Sequence, residues 1–340
     1  MINNIICLLF NVRQIKKTFV IVLLGTALLH AIVLPGFSED KNAHEQTRTF
    51  VWGEDVDVHI NAPGKDLLDP DKETIIVFYA LPAGNTIEWT IGKKMQADDD
   101  WHFDIQHIGA QTRFLRNILK DKNLIVIYIQ PNYKGWQLYD DKHPDDFLPL
   151  IQQMTTDLLT PFKQFNYKVT LSGHSAGGSW VLRYLQGVKK IPKWVDRIVF
   201  IDSNYNYKYD AAHYDSLFVD FLMQRDDTRL CVMAYNDSVA LYKGKSVVSA
   251  EGGTWWNTRY MLKRIKKQFH FIENSDNDMK RYNALSGRFQ ILLKENQTRA
   301  ILHTLQVYKN GFIHSMLSGT KYEHAGYRYY GQPAYLDFIK

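Results

Sequence analysis

Six short, mostly apolar runs, rich in β-branched and aromatic residues, set the strongest limit on how this chain can fold. Such runs are typical of strands buried on both faces of a sheet. They occupy residues 74–80, 124–129, 169–171 with their flanks, 197–201, 230–234 and 289–293. Apolar residues at helical spacing lie between them, at residues 105–119, 147–165, 177–188, 214–223 and 255–269. Because strands that alternate with helices need crossover connections, the pattern predicts an α/β fold with a mostly parallel central sheet and helices on both faces.

Nothing in the rest of the chain divides this sheet into separate domains. Residues 49–60 alternate in places between apolar and polar and predict edge strands. The sequence has no visible internal repeat and no linker rich in Pro, Ser or Gly. A length of 340 residues suits one large α/β domain. We predict a single domain over residues 49–340, preceded by a flexible polar lead-in over residues 39–48.

The N-terminus has the organisation of a secretory signal. Basic residues near position 15 precede an apolar run over residues 19–34, and small residues follow. This run is shorter than the about 20 apolar residues that a transmembrane helix needs. We predict that residues 1–38 are a signal peptide, cleaved near Glu39, with an uncleaved signal anchor as the alternative. Either way, the body of the protein should be secreted or periplasmic. It should contact a membrane only through such an anchor.

Charge and cysteine content exclude two classes of protein. The chain has 41 basic and 36 acidic residues, and three of the basic residues lie in the leader, so the body is nearly neutral. Nucleic acid is therefore not an expected partner. Outside the leader, which holds Cys7, the sequence has only Cys231, in an apolar run. This rules out an internal disulfide framework and predicts a buried thiol. One short basic cluster is interpreted as a solvated helix face: Lys263, Arg264, Lys266 and Lys267.

The pentapeptide Gly173-His174-Ser175-Ala176-Gly177 fits the pattern G-x-S-x-G. The match gains weight from its context, because residues 167–171 predict a strand and residues 176–186 predict a helix. A nucleophile elbow needs this strand–turn–helix arrangement, which strains the serine backbone and holds its hydroxyl above the sheet edge. Free N–H groups at the start of the helix can stabilise a developing oxyanion.

With this motif, the predicted strand order and the partner residues described below, the chain resembles the α/β-hydrolase superfamily over roughly residues 50–340. The resemblance implies the α/β-hydrolase fold and serine-type hydrolysis, with no metal or organic cofactor, but it does not imply a substrate. Within the superfamily, residues 79–86 (YALPAGNT) and 101–107 (WHFDIQH) look like an exported bacterial subgroup.

A serine nucleophile needs a histidine as general base. The superfamily places it last in the order Ser, acid, His, so we look downstream of the final strand. His314 is favoured, because it follows a turn signal close to the C-terminus. His303 is the main alternative, although the alternation of residues 301–307 predicts a strand there. His324 is a further alternative.

The acid that orients the histidine should follow the end of a strand. Asp237 follows the run over residues 230–234 and has the position that the superfamily most often uses. Asp202 follows the run over residues 197–201, where some lipases of the superfamily have their acid. We favour Asp237 and keep Asp202 as the alternative.

The resemblance also predicts the groups around the nucleophile. One oxyanion donor should be the N–H of Ala176, and the second should come from residues 83–85, which include Gly84 and Asn85. Loop aromatics should open at the same sheet edge and could stack on a substrate. These are Tyr205, Trp255 and Trp256. Three further residues, His102, Asp104 and His107, have poor spacing for a metal and are interpreted as helix capping and packing.

The sequence thus predicts an exported serine hydrolase, most readily one that cleaves a carboxylic ester through an acyl-enzyme. The expected substrate is a small-molecule or carbohydrate-linked ester. Two alternatives remain open: a serine peptidase on the same fold, and a catalytically inactive binding protein that has kept the elbow.

Overall fold

The apolar runs form the centre of one large sheet in the computed structural model, which describes residues 32–340. The strands are β1 (Ser38–Asp40), β2 (Glu45–Trp52), β3 (Val56–Pro63), β4 (Glu73–Ala80), β5 (Lys122–Pro131), β6 (Tyr167–His174), β7 (Val195–Ile201), β8 (Arg229–Tyr235), β9 (Leu241–Tyr242), β10 (Lys245–Ser246), β11 (Ile272–Glu273), β12 (Met279–Ala284) and β13 (Phe289–Lys294). The helices are α1 (Ile87–Ile91), α2 (Ile108–Ile118), α3 (Trp136–Lys142), α4 (Phe147–Leu159), α5 (Gly177–Gln186), α6 (Ala211–Met223), α7 (Gly253–Ile265), α8 (Leu305–Tyr308) and α9 (Gly311–Leu317).

Eleven of these strands form the sheet, in the order β1-β2-β3-β5-β4-β6-β7-β8-β13-β12-β11, and β9 pairs with β10 separately. The central strands from β5 to β13 are parallel, whereas the strands at both edges are antiparallel. The predicted mostly parallel sheet of the α/β-hydrolase fold is therefore confirmed. Parallel strands end at the same edge, so the residues that follow β4, β6, β7 and β8 lie side by side.

Two apolar cores cover the two faces of this sheet. Alternate residues of β4 point to opposite faces, so Phe78 and Ala80 lie in one core and Val77 and Tyr79 in the other. The first core is closed by α3 to α7, and the second by α1, α2, α8 and α9. Cys231 on β8 is completely buried, as predicted, and burial raises the pKa of its thiol to about 12.

The segment before residue 49 differs from its prediction. Instead of a flexible lead-in, it contributes β1 and the first half of β2 to the sheet. Glu45 on β2 is buried and forms ion pairs with Arg113 and Arg116 at 2.9 and 2.8 Å. Leu34, within the predicted leader, is completely buried in the first core, and its N–H donates to Gln46 Oε1 at 2.9 Å. The ordered fold thus begins before the predicted cleavage point.

Most of the predicted leader, residues 1–31, lies outside the described residues. Within residues 32–340, no helix combines the length and apolar character required to cross a membrane.

Candidate functional site

Ser175 occupies a sharp turn between β6 and α5. Its φ of 54° falls in the left-handed region that side chains other than glycine rarely adopt. The neighbouring glycines permit this turn: a Cβ on Gly177 would lie 1.9 Å from the carbonyl oxygen of Ala80, and one on Gly173 would lie 2.4 Å from the carbonyl carbon of Gly177. The turn therefore has the strained geometry predicted for a nucleophile elbow, and Ser175 remains partly exposed at the sheet edge.

Asp202 lies at the same edge, directly after β7. Its backbone is also strained, with a φ of 44°, and its side chain is completely buried. Oδ1 accepts hydrogen bonds from the N–H of Tyr235, at 3.3 Å, and from the hydroxyl of Thr254. These donors fix the orientation of the carboxylate.

His303 makes the closest contact with this carboxylate. Its Nδ1 lies 2.5 Å from Oδ2 of Asp202, and its side chain is 21% exposed. Residues 301–304 form an irregular segment and a turn before α8, so the predicted strand over residues 301–307 is not present. Within residues 32–340, Nε2 makes no hydrogen bond. With Nδ1–H donated to Asp202, the lone pair of Nε2 is free to accept a proton.

Two residues connect His303 with the elbow. The imidazole of His174 stacks on that of His303 with ring centroids 4.6 Å apart. The ring centroid of Tyr205 lies 6.4 Å from that of His303. Burial raises the pKa of Tyr205 well above its usual value, helped by nearby Asp202, whereas a hydrogen bond with Ser175 opposes the shift. Burial also lowers the pKa of His174 well below its usual value, so this ring adds no charge beneath His303.

His314, the favoured base, is held elsewhere and does not face the elbow. It is buried in α9, with Nδ1 3.1 Å from the hydroxyl of Tyr327 and Nε2 3.0 Å from Oε1 of Gln290. Burial lowers its pKa to about 3, with smaller contributions from His324 and Arg197. His324 stacks against His314 at 6.3 Å. The assignment to His314 is therefore corrected, because both of its ring nitrogens bond to buried neighbours.

Asp237, the favoured acid, contacts no histidine. Its Oδ2 accepts hydrogen bonds from the N–H and hydroxyl of Thr254 at 2.7 and 3.2 Å, and its buried Oδ1 has no partner within residues 32–340. Burial, with the nearby Asp202 charge, raises its pKa to about 7. The histidine-paired acid is the alternative, Asp202, and Thr254 lies between the two carboxyl groups.

The N–H groups near Ser175 differ in whether they are free. Within the described part of the chain, the amides of Ala176 and Ala83 donate to no acceptor. Gly84 does not fit its predicted role, because its N–H donates to the carbonyl of Lys134 at 2.8 Å. Asn85 directs its side-chain amide to the hydroxyl of Thr90 at 3.0 Å, so that amide is used within its own loop.

A buried polar network, which the sequence analysis missed, joins this loop to the elbow. Gln106 Oε1 lies 3.2 Å from Nδ1 of His174, and Nε2 donates to the hydroxyl of Thr90 at 3.3 Å. Thr90 in turn accepts from Asn85. A glutamine before a helix carries no sequence signal for such a role.

The predicted helix-start residues contact their own neighbours. His107 Nε2 lies 2.7 Å from Oδ1 of Asp104, and His102 Nδ1 lies 2.5 Å from Oδ1 of Asp100. Among residues 32–340, no group of three or more histidine, cysteine or carboxylate side chains is arranged to hold a metal ion.

The predicted stacking residues differ in accessibility. Trp255 is 5% exposed and packs in the first core, which removes it as a substrate contact. Trp256 is half-buried and stacks on Tyr260 with ring centroids 5.0 Å apart. Tyr205 stands beside His303, as described above.

Comparison with known proteins gives distant structural similarities. No family model matches the chain, and no curated protein matches it. A thermostable esterase has 15% identity and a TM-score of 0.45 over 81% of this chain, which spans 63% of that protein's length. A feruloyl esterase module from Clostridium thermocellum, complexed with sinapinate, has 12% identity and a TM-score of 0.44 over 84% of this chain and 91% of its own. A predicted CIB-like hydrolase from Thermoplasma acidophilum has 11% identity and a TM-score of 0.38, over 80% and 93% of the two chains.

The fold assignment rests on the chain's own geometry. The strand order, the parallel centre of the sheet and the turn at Ser175 together give this chain the α/β-hydrolase fold.

Proposed function

We propose that this protein is a serine hydrolase that cleaves carboxylic esters, with Ser175 as nucleophile, His303 as general base and Asp202 as the acid that orients the base. The observation that carries the proposal is the 2.5 Å contact between His303 Nδ1 and Asp202 Oδ2, next to a strained serine. A triad is recognised by such roles and geometry rather than by sequence position.

Each residue has a defined task in this reaction. His303 Nε2 takes the proton of Ser175 Oγ as Oγ attacks the ester carbonyl carbon. The N–H groups of Ala176 and Ala83 stabilise the negative oxygen of the tetrahedral intermediate. His303 then gives its proton to the leaving alcohol, and an acyl-enzyme remains on Ser175.

Hydrolysis of the acyl-enzyme repeats these steps with water. His303 takes a proton from water, whose oxygen attacks the acyl carbon, and returns the proton to Ser175 Oγ as the acid product leaves. Asp202 holds the imidazole in place and compensates its positive charge. The reaction needs no metal or organic cofactor from outside this set of residues.

The substrate and location of the enzyme belong to the same proposal. We propose a small-molecule or carbohydrate-linked ester as substrate, because the ring of Tyr205 lies beside His303 at the catalytic edge and can contact such a substrate. The signal-like N-terminus supports export to the periplasm or beyond. Comparing the purified protein on acyl esters and on peptides tests the bond type. Turnover of esters but not peptides supports the proposal, whereas peptide cleavage alone would make the enzyme a peptidase.

A further inference from the structure

A groove of about 940 Å³ lies beside α7 and is not lined by Ser175, His303 or Asp202. One wall is a face of α7 together with the segment after it, up to Phe271. The other wall comes from the edge of the sheet, including Lys280 and Tyr282 of β12. The groove is therefore separate from the candidate active site.

Positive charge dominates this surface. Among the lining residues, Glu273 is the single acid, and Lys280 is already paired with Glu295 at 3.0 Å. Four other cations are exposed, and none of them makes an ion pair within residues 32–340. They are Arg259, Lys263, Lys266 and Lys267. The groove thus presents several uncompensated positive charges to a ligand.

Helix geometry places these charges together. At 3.6 residues per turn, Arg259, Lys263 and Lys266 lie along one side of α7 and its extension. Like charges at this spacing repel each other and destabilise the helix slightly. The helix dipole favours cations in the last turn of α7, but it does not account for Arg259 in the middle of the helix. An anion in the groove would relieve the repulsion along the whole row.

Aromatic rings also line this groove. Trp256 and Tyr260 stack with an interplanar angle of 17° at one end, and Tyr282 lies on the opposite wall. Lys208 and Arg264 lie over the rings of Trp256 and Tyr260, at 5.3 and 5.7 Å from the centroids. The edges of this pair and the ring of Tyr282 can therefore contact the C–H groups of a pyranose ring, while the neighbouring cations can pair with carboxylate or sulfate groups.

We propose that the groove beside α7 binds an acidic polysaccharide, a chain of sugar rings that carry carboxylate or sulfate groups. A concave groove fits a linear chain better than the flat surface of a membrane. A nucleic acid is a poorer match, because outside the leader the chain is nearly neutral and lacks the broad positive field of nucleic-acid-binding proteins. This binding does not depend on the chemistry of Ser175.

The test uses the full chain with Ser175→Ala, so that no turnover interferes, and measures its affinity for polygalacturonate. We expect binding to this polymer and not to neutral dextran. Replacing Lys263, Lys266 and Lys267 together by Gln should weaken it on the order of tenfold. The matched control replaces three exposed lysines elsewhere, Lys189, Lys190 and Lys193, and should change the affinity by less than about twofold.

A second pair of measurements separates sugar recognition from general attraction of anions. Trp256→Ala, and independently Tyr282→Ser, should weaken binding of polygalacturonate but leave binding of inorganic polyphosphate, which has no rings, unchanged. Circular dichroism and melting curves verify that each variant is folded. The proposal is overturned if polygalacturonate does not bind, if the two lysine triples have equal effects, if both ring variants bind it normally, or if a single-stranded DNA oligonucleotide binds more tightly.

Discussion

Nδ1 of His303 lies 2.5 Å from Oδ2 of Asp202, a residue 101 positions earlier in the chain. The sheet makes this contact possible, because Asp202 directly follows β7 and the chain returns to the same edge after β13. Asp202 is completely buried, whereas the histidine is partly open to solvent. This difference suits an acid that only orients its partner and a base that must reach a substrate.

The two carboxyl groups beside Thr254 should differ sharply in their kinetic importance. We expect Asp202→Asn to lower kcat by about 10⁴, because the amide favours the wrong tautomer of His303. Asp237→Asn should leave kcat within severalfold of the wild type, since Asp237 contacts no histidine. Steady-state kinetics on both variants measures the difference. A severe loss for Asp237→Asn with normal turnover for Asp202→Asn would exchange the two roles.

The two histidines form a matched pair for separating chemistry from stability. His303→Asn should abolish most turnover and leave the melting temperature close to that of the wild type. His314→Asn should retain turnover but lose on the order of 1–3 kcal/mol of stability, because the buried Tyr327 and Gln290 lose hydrogen-bond partners. Kinetics and thermal melting on both proteins test this. The opposite pattern would restore His314 as the base.

Asp237 should make the stability of the protein depend on pH. Its pKa rises from 3.8 to about 7 on folding, so the folded state binds a proton more tightly than the unfolded state. The associated stabilisation is fully present below about pH 4 and is lost as the pH rises to about 7, at about 1.4 kcal/mol for each pKa unit of difference.

Denaturant titrations of the wild type and of Asp237→Asn, from pH 4 to pH 8, measure this effect. The amide of the variant resembles the neutral carboxyl group. The free energy of unfolding of the variant should therefore fall less as the pH rises, and toward pH 8 the variant should gain stability relative to the wild type. Parallel stability curves for the two proteins would show that Asp237 does not titrate in this range.

The segment before β1 should contribute to stability. Leu34→Ala should cost about 2–5 kcal/mol, as expected for a leucine buried in a core. Val33→Ala is the control, because Val33 is 63% exposed and its truncation should have little effect. Denaturant titration compares the two. If Leu34→Ala is as stable as the control, the segment is dispensable, and a signal cleavage near Glu39 would be compatible with the fold.

The strands and the elbow could be predicted because their signals are local. The run over residues 74–80 is apolar at every position after Thr74, and burial on both faces of a parallel sheet is the structure that accommodates it. Around Ser175, the glycines record a close approach of backbones that any side chain would prevent. Sequence patterns hold such information within a few residues.

The partner of Ser175 could not be chosen in the same way, because His303 and His314 both follow the last parallel strand. The choice depends on which imidazole meets Asp202, a contact across 101 residues. Alternating apolar residues around His303 also suggested a strand, although this segment packs as a turn before α8. At Gly84, the sequence did not reveal that the N–H is taken by Lys134.

The most direct test of the proposed triad is the rate at which a fluorophosphonate labels the protein, with the modified residue located by mass spectrometry. We expect one label on Ser175, none on Ser175→Ala, and labelling slower by at least about 10³ in His303→Asn but not in His314→Asn. A folded wild-type protein that is not labelled, or that is labelled equally fast with and without His303, would contradict this account and favour the binding-protein alternative.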